Sequence, residues 1–190
     1  CYSKKMNDVD ILKKIEKKVL WLACWMIHNA NHIRENQDDL KVGGHQASSA
    51  SIVSIMTALY FSILRPEDRV AVKPHASPTF HAIQYLSGLQ TKEKIQNFRG
   101  FGGAQSYPSR TKDIDDVDIS TGSVGLGVAM TSFISLIQDY VARKKFYKNK
   151  PLGRMIALVG DAELDEGNVY ECLQEGWKHD LRNVWWIIDY

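Results

Sequence analysis

Apolar and polar positions along this chain follow two rhythms. Between Asp8 and Ile33, Ile11, Ile15, Leu22 and Met26 recur at helical spacing, which predicts one long amphipathic helix. Asn29 to Lys41 is polar and leads into Gly43-Gly44-His45. A second helix is expected from about Ala47 to Leu64, where frequent small residues favour close packing. The rhythm then tightens: Val70-Ala71-Val72 reads as a short strand, and His75 follows it at once. Short helices are expected over Thr79–Leu86 and Thr91–Phe98, then a long aperiodic loop from Arg99 to Ser120. Gly122 to Gly127 opens a helix reaching about Phe146. Ile156 to Val159 is a continuous apolar run, the signature of a buried parallel strand, and it stops at Gly160-Asp161. After an acidic loop, Val169, Leu173 and Trp177 recur every four residues as a helix would place them. Val184 to Tyr190 then reads as a second buried strand.

Strands separated by helices predict a doubly wound α/β layer with a parallel sheet, and strand–helix–strand near the end is a right-handed βαβ unit by default. Residues 1–41 are expected to form an N-terminal helical segment, and 42–190 part of one α/β domain. The chain begins Cys1-Tyr2-Ser3 and stops inside the strand Trp185 to Tyr190, so a piece of a longer protein is expected.

Composition narrows the function classes. The 190 residues are 44% hydrophobic and carry 24 basic against 22 acidic side chains, well mixed, for a net charge of +2. That balance gives no footprint for nucleic acid or an anionic membrane. The basic run Arg143-Lys144-Lys145 with Lys148 and Lys150 reads as the solvated end of a helix. Cys1, Cys24 and Cys172 are odd in number and lack a CxxC spacing, which fits reduced thiols in the cytoplasm better than a metal cluster. No apolar run approaches the roughly 20 residues of a membrane span, and no signal peptide is recognisable.

Four constellations could carry chemistry. Asp161 stands at the carboxyl end of a central strand, where open α/β sheets hold ligands, with Glu163, Asp165 and Glu166 after it. No Lys or Arg lies within five residues of Asp161 in the sequence, which suits a hard cation carrying a phosphate; a helix cap is the plainer reading. Ser120-Thr-Gly-Ser-Val-Gly-Leu-Gly127 opens a helix whose unpaired N–H groups could meet a phosphate, although the same glycines would permit tight packing. Gly43-Gly44-His45-Gln46-Ala47-Ser48 and Lys73-Pro74-His75-Ala76-Ser77-Pro78 each set a histidine beside a turn. A lone histidine of that kind is more often a cap or a surface residue; two at the mouth of one sheet shift the balance. The GxGxxG fingerprint is absent, which disfavours a nicotinamide enzyme.

In this order the motifs resemble the thiamin-diphosphate enzymes of the transketolase superfamily. Gly160-Asp161-Ala162 is similar to the start of that family's metal motif, with Ala162 in place of the usual glycine. Gly43 to Ser48, Pro74 to Pro78, Ser106-Tyr107-Pro108 and Gly160 to Glu166 resemble blocks of the homodimeric decarboxylating component of pyruvate dehydrogenase complexes. The resemblance implies the superfamily's diphosphate-binding domain, incomplete here, with thiamin diphosphate and magnesium as cofactors. It gives Asp161 the metal, with Gly160, Ala162 and Glu163 around the cofactor diphosphate. It sets Ser48, Ser123, Val124 and Gly125 against the cofactor, Val124 supporting its bent shape, and assigns His45, His75 and Tyr107 to the reacting centre. It further implies decarboxylation of a 2-oxo acid and delivery of the acyl group to a lipoyl-bearing acyltransferase by a homodimeric, cytoplasmic enzyme. The motif's Asn is expected at or just beyond Tyr190, and a glutamate acting on the aminopyrimidine in a second domain. The alternatives are a transketolase or deoxyxylulose-phosphate synthase acting on sugar phosphates, and an assembly module without catalysis. Transketolases carry Gly-His-Pro where this chain has Ser106-Tyr107-Pro108, which favours the 2-oxo acid.

Overall fold

The apolar run Ile156–Val159 becomes the centre of a parallel sheet. A computed structural model describes residues 8–35, 40–146 and 151–190; Cys1, Lys148 and Lys150 lie outside the described residues. Strand β1 (Arg69–Ala71) pairs with β2 (Met155–Gly160), and β2 pairs with β3 (Val184–Asp189), all parallel, in the order β1-β2-β3. All six residues of β2 are buried, as a strand flanked on both sides requires. Burying a Val, Leu or Ile side chain contributes about 1.5–3 kcal/mol, so Ile156, Leu158 and Val159 anchor the layer. Ile119 adds an isolated parallel bridge to Ala71.

The chain divides into two compact units: Cys1–Leu64 with Pro78–Ser106, and Arg65–Ser77 with Tyr107–Tyr190. The first is helical. Its α1 (Asp8–His28) continues as a π-helical turn through Asn29–Ile33, so the helix ends where the periodicity ends. Val19, Leu22, Ala23, Met26 and Ile27 are its buried face; Ile11, expected inside, is 39% exposed. The expected second helix breaks in two, α2 (Gln46–Ala50) and α3 (Val53–Ala58), followed by a π turn over Leu59–Ile63. Gln46–Ile63 is long and apolar enough, by length and composition only, to cross a membrane, although no such run was expected. A packed core helix passes the same test, and Ile52, Val53, Met56 and Leu59 are buried in this one. Then come α4 (Ser77–Leu86) and α5 (Lys92–Gln96), the latter capped by the Thr91 hydroxyl, which accepts the Lys94 N–H at 3.3 Å.

The second unit holds the sheet, α6 (Leu126–Arg143) and α7 (Gly167–Lys178). Arg143, in the last turn of α6, and Lys144 are exposed, as expected of a solvated helix end. Ala71, Ile119, Val128, Ala157, Val159, Val169 and Cys172 form one buried cluster beneath the helices. Two expectations fail here. Of the stripe Val169, Leu173 and Trp177 only Val169 is buried; Leu173 is 40% and Trp177 89% exposed. A spacing of four overshoots the 3.6-residue turn, and α7 buries Val169 with Cys172, three residues on, instead. Likewise β3 is not fully buried: Trp185 and Ile188 are 39% and 46% exposed, because β3 is an edge strand among the described residues.

The amino end of the sheet is clamped by charge. Asp68, just before β1, accepts hydrogen bonds from the Arg154 N–H (2.7 Å), Arg154 Nε (3.1 and 3.0 Å), Arg154 Nη2 and the Arg65 N–H (2.9 Å). Burial opposes the Asp68 charge, but the Arg154 and Arg65 hydrogen bonds outweigh it and hold the carboxyl below its ordinary range. The Arg154 guanidinium also lies 4.3 Å from the centre of the Trp185 ring.

Candidate functional site

The carboxyl ends of β1 and β2 carry most of the residues singled out in the sequence. Strand β2 ends at Gly160, and the chain turns at once into a 3-10 segment, Asp161–Asp165. Asp161 and Ala162 are exposed at the head of that turn. Glu163 is buried, and its Oε2 accepts the Gly160 N–H at 2.9 Å. The Glu163 carboxylate therefore ties the turn back on itself and sets where Asp161 projects. Among the described residues no group of three or more His, Cys, Asp or Glu could hold a metal. Asp161 is thus a single carboxylate in the open, a donor set that suits magnesium already bound to phosphate oxygens and water rather than an all-protein cage.

The glycine loop lies in the same unit and is tied to the start of α7. Gly125 is the N-cap of α6 with φ +70°, the left-handed region, and no side chain caps the helix. A Cβ at Gly125 would stand 2.6 Å from Val169 Cγ2 and 2.7 Å from Asn168 Oδ1, so only glycine fits. Asn168 Nδ2 in turn donates to the Val124 carbonyl at 2.9 Å. Thr121 Oγ1 donates to the Val72 carbonyl at 3.4 Å, and a Cβ on Gly127 would meet Ala71 Cβ at 3.2 Å. The loop is therefore seated on the end of β1 and the first turn of α7. Ser123 is half-buried and Val124 46% exposed. The uncapped start of an 18-residue helix offers phosphate donors, and the exposed Asp161 at the end of β2 in the same unit offers a cation ligand. A magnesium diphosphate fits that arrangement.

His75 sits exposed in a 3-10 turn, Pro74–Ala76, that follows β1 directly. Tyr107 belongs to the same unit and is 43% exposed. The loop behind it is closed by the Ser109 N–H on Asp113 Oδ2 (2.8 Å), the Arg110 N–H on Ser120 Oγ (2.9 Å) and Arg110 Nη1 on the Asp118 carbonyl (3.0 Å).

His45 and Ser48 belong to the first unit. His45 is extended (φ −104°, ψ 129°) and exposed at the N-cap of α2; Ser48 is half-buried. The turn before it is built around missing side chains: a Cβ on Gly43 would stand 2.5 Å from the Ile27 carbonyl oxygen, and Gly44 has φ +82°. Asn31 clamps both glycines, its Oδ1 accepting the Gly43 N–H at 2.6 Å and its Nδ2 donating to the Gly44 carbonyl at 3.1 Å. Arg99 Nη1 donates to the Val42 carbonyl at 2.7 Å.

Sequence reasoning missed three residues. Asn168 ends the acidic motif yet works through the glycine loop. Lys73 and Asp189 form an ion pair of 2.8 Å at the carboxyl end of the sheet, their side chains only 9% and 6% exposed. A point one Cβ away from Gly160 is 3.5 Å from Lys73 Nζ and 3.6 Å from Glu163 Oε2. No Lys or Arg stands within five residues of Asp161 along the chain, yet the fold brings Lys73 to the neighbouring Gly160. No local signal could reveal a pair 116 residues apart. Among the described residues Cys24 and Cys172 are free thiols, and burial pushes both up.

Comparison with known proteins agrees with this fold. A family model described as 1-deoxy-D-xylulose-5-phosphate synthase matches residues 4–188. The pyruvate dehydrogenase E1 component of Pseudomonas aeruginosa is 28% identical over 194 residues, covering 96% of this chain and 21% of that protein. The same component from Buchnera aphidicola (Schizaphis graminum) is 26% identical over 192 residues, with 96% and 21% covered. The chain thus spans about a fifth of the length of these relatives. Among solved structures, transketolase from Leishmania mexicana superposes with a TM-score of 0.78 at 18% identity, covering 93% of this chain and 27% of that one. Transketolase from Campylobacter jejuni gives 0.74 at 24% identity, covering 96% and 28%. The matched family model, the parallel sheet and the loops at its carboxyl end lead to one conclusion: the chain belongs to the 1-deoxy-D-xylulose-5-phosphate synthase family, within the thiamin-diphosphate enzymes of the transketolase superfamily.

Proposed function

We propose that this chain is the diphosphate-binding part of a thiamin-diphosphate- and magnesium-dependent 2-oxo acid dehydrogenase that decarboxylates pyruvate. The observation that supports the reading is the presence in one unit of an exposed Asp161 at the end of β2 and the uncapped, Gly125-headed start of α6, which Asn168 anchors to α7. Asp161 would share magnesium with the diphosphate, and the first N–H groups of α6 would take phosphate oxygens. Ser48, Ser123, Gly160, Ala162 and Glu163 would shape the surrounding wall, with Val124 against the cofactor's apolar middle. When bound, the cofactor supplies a nucleophilic carbon and an electron sink for loss of carbon dioxide. His45 and His75 would orient the substrate and move protons, since imidazole exchanges them near neutral pH. Tyr107 would line the substrate end. The acyl group would pass to a lipoyl-bearing acyltransferase, and the enzyme would act as a cytoplasmic homodimer.

Two further observations support a 2-oxo acid over a sugar phosphate. The relatives above bear the name pyruvate dehydrogenase E1 component. Only Arg99, Arg110 and Lys112 lie between Arg99 and Ser120 to grip a distal phosphate, and Arg99 and Arg110 each give one N–H to a backbone carbonyl. The description of the matched family model favours a second reading, joining pyruvate to a sugar phosphate. The full-length protein, given thiamin diphosphate and magnesium, distinguishes them. Pyruvate oxidation with an artificial electron acceptor should exceed both condensation with glyceraldehyde phosphate and ketol transfer from xylulose phosphate. Faster condensation or ketol transfer overturns the substrate and leaves the cofactor standing.

A further inference from the structure

The least expected feature of the second unit is a pair of opposite charges buried beside its ligand loops. Lys73 and Asp189 are 7% exposed each as residues, and their charged atoms are 2.8 Å apart. Lys73 lies two residues beyond β1, whereas Asp189 is the last residue of β3, so the side chain of Lys73 must pass over β2 to reach it. It passes at Gly160, where a Cβ would stand 3.1 Å from Lys73 Cε. Gly160 is also the register partner of Asp189 in the β2–β3 ladder. One ion pair thus ties the carboxyl ends of three strands together.

Stability does not explain such a pair. Two buried charges lose their hydration, and apolar residues of similar volume commonly serve as well or better, whereas removing one partner alone leaves an uncompensated charge. What an ion pair supplies that apolar packing does not is a fixed distance and direction. Both ends of this one adjoin candidate site residues. Lys73 is followed by Pro74, with its restricted φ, and then by His75. Asp189 is held against Gly160, whose N–H is bound by Glu163 and whose next residue is Asp161.

We propose that Lys73 and Asp189 are positioning residues: their ion pair across Gly160 fixes the His75 turn relative to the Asp161 turn. This rests on the cofactor-binding reading above. The pair touches no reacting atom and acts only by holding the two turns in register.

The test uses the full-length protein, with binding of thiamin diphosphate plus magnesium measured beside melting temperature and the split between kcat and KM. Failure of the wild-type protein to bind the cofactor defeats the underlying reading; the comparison of variants then decides the pair. Lys73→Met should lose both melting temperature and cofactor affinity. The double variant Lys73→Met/Asp189→Leu removes both charges and should recover most of the melting temperature. Its cofactor affinity and kcat should nonetheless stay at least tenfold below wild type. Recovery of affinity and kcat together with melting temperature would show the pair to be merely structural. Where Lys73→Met does not fold, the double variant decides alone. Where the double variant does not fold either, Lys73→Gln/Asp189→Asn, which keeps a hydrogen bond at the same place, should retain affinity within a few-fold; a tenfold loss there overturns positioning by geometry.

Discussion

Asn168 Nδ2 donates to the carbonyl oxygen of Val124 at 2.9 Å, joining the first turn of α7 to the glycine loop that opens α6. Two segments more than forty residues apart are thereby held together, the start of α6 against the first turn of α7. Asn168 Oδ1 is buried without a hydrogen-bond partner and occupies the space a Cβ on Gly125 would need. The tie contributes little to folding, because a typical intramolecular hydrogen bond is worth about 0.5–1.5 kcal/mol net.

Asn168→Ala should therefore shift unfolding free energy by no more than about 1 kcal/mol while weakening thiamin diphosphate binding roughly tenfold, the scale of losing a supporting group at a metal site. Denaturant melts and cofactor titrations on the same preparations give both numbers. Equal cofactor affinity in the variant would mean the tie does nothing for the site.

Gly125→Ala is the harsher change. It forces a side chain into the left-handed region, at about 1–2 kcal/mol, and into contact with Val169 and Asn168. Both stability and cofactor affinity should fall, with Asn168→Ala in the same protein relieving part of the stability loss. No relief in the double variant would show that the clash with Asn168 is not what excludes a side chain.

The amino end of the sheet should behave differently, as a structural clamp. Asp68 has its carboxyl held below the ordinary range by hydrogen bonds from Arg154 and Arg65 that overcome burial. A depressed carboxyl contributes stability that is full above its unfolded value of about 4 and is lost as pH falls through the lower folded value. Asp68→Asn should cost about 3–5 kcal/mol at neutral pH, and its gap from wild type should narrow as pH drops below about 4. Melting temperatures from pH 3 to 7 check this; a gap that stays constant with pH would contradict the assignment. Turnover per folded molecule should be unaffected.

His45 and His75 are exposed, so alanine at either should leave the melting temperature within a degree or two while lowering turnover at least about tenfold, the low end of proton-transfer catalysis. Steady-state rates on correctly folded material decide it. A stability loss with normal turnover would return both histidines to the surface of an inert turn.

The local periodicity of the sequence was enough to place β2, α1, α4 and α6 to within a few residues, because each buries a continuous run or a clean stripe. The same logic misjudged Leu173 and Trp177, whose spacing drifts off the buried face of α7, and β3, which among the described residues has a neighbouring strand on one side only. Around the site, the glycines and Asp161 were legible because turns and strand ends constrain residue type. Lys73, Asp189 and Asn168 were not, since what matters about them is a partner brought close only by the fold. Glu163 shows the limit from the other side: its place in the acidic motif was visible, its burial against the Gly160 N–H was not.

In the proposed function, Asp161 holds the divalent cation of a bound diphosphate. Titration of the full-length protein with thiamin diphosphate, with and without magnesium, for wild type and Asp161→Ala tests it most directly. Magnesium should strengthen wild-type binding by two orders of magnitude or so and leave Asp161→Ala at least about 10–100-fold weaker, with an unchanged melting temperature in the absence of ligand because Asp161 is exposed. Magnesium-dependent binding of equal strength in both proteins would contradict the account.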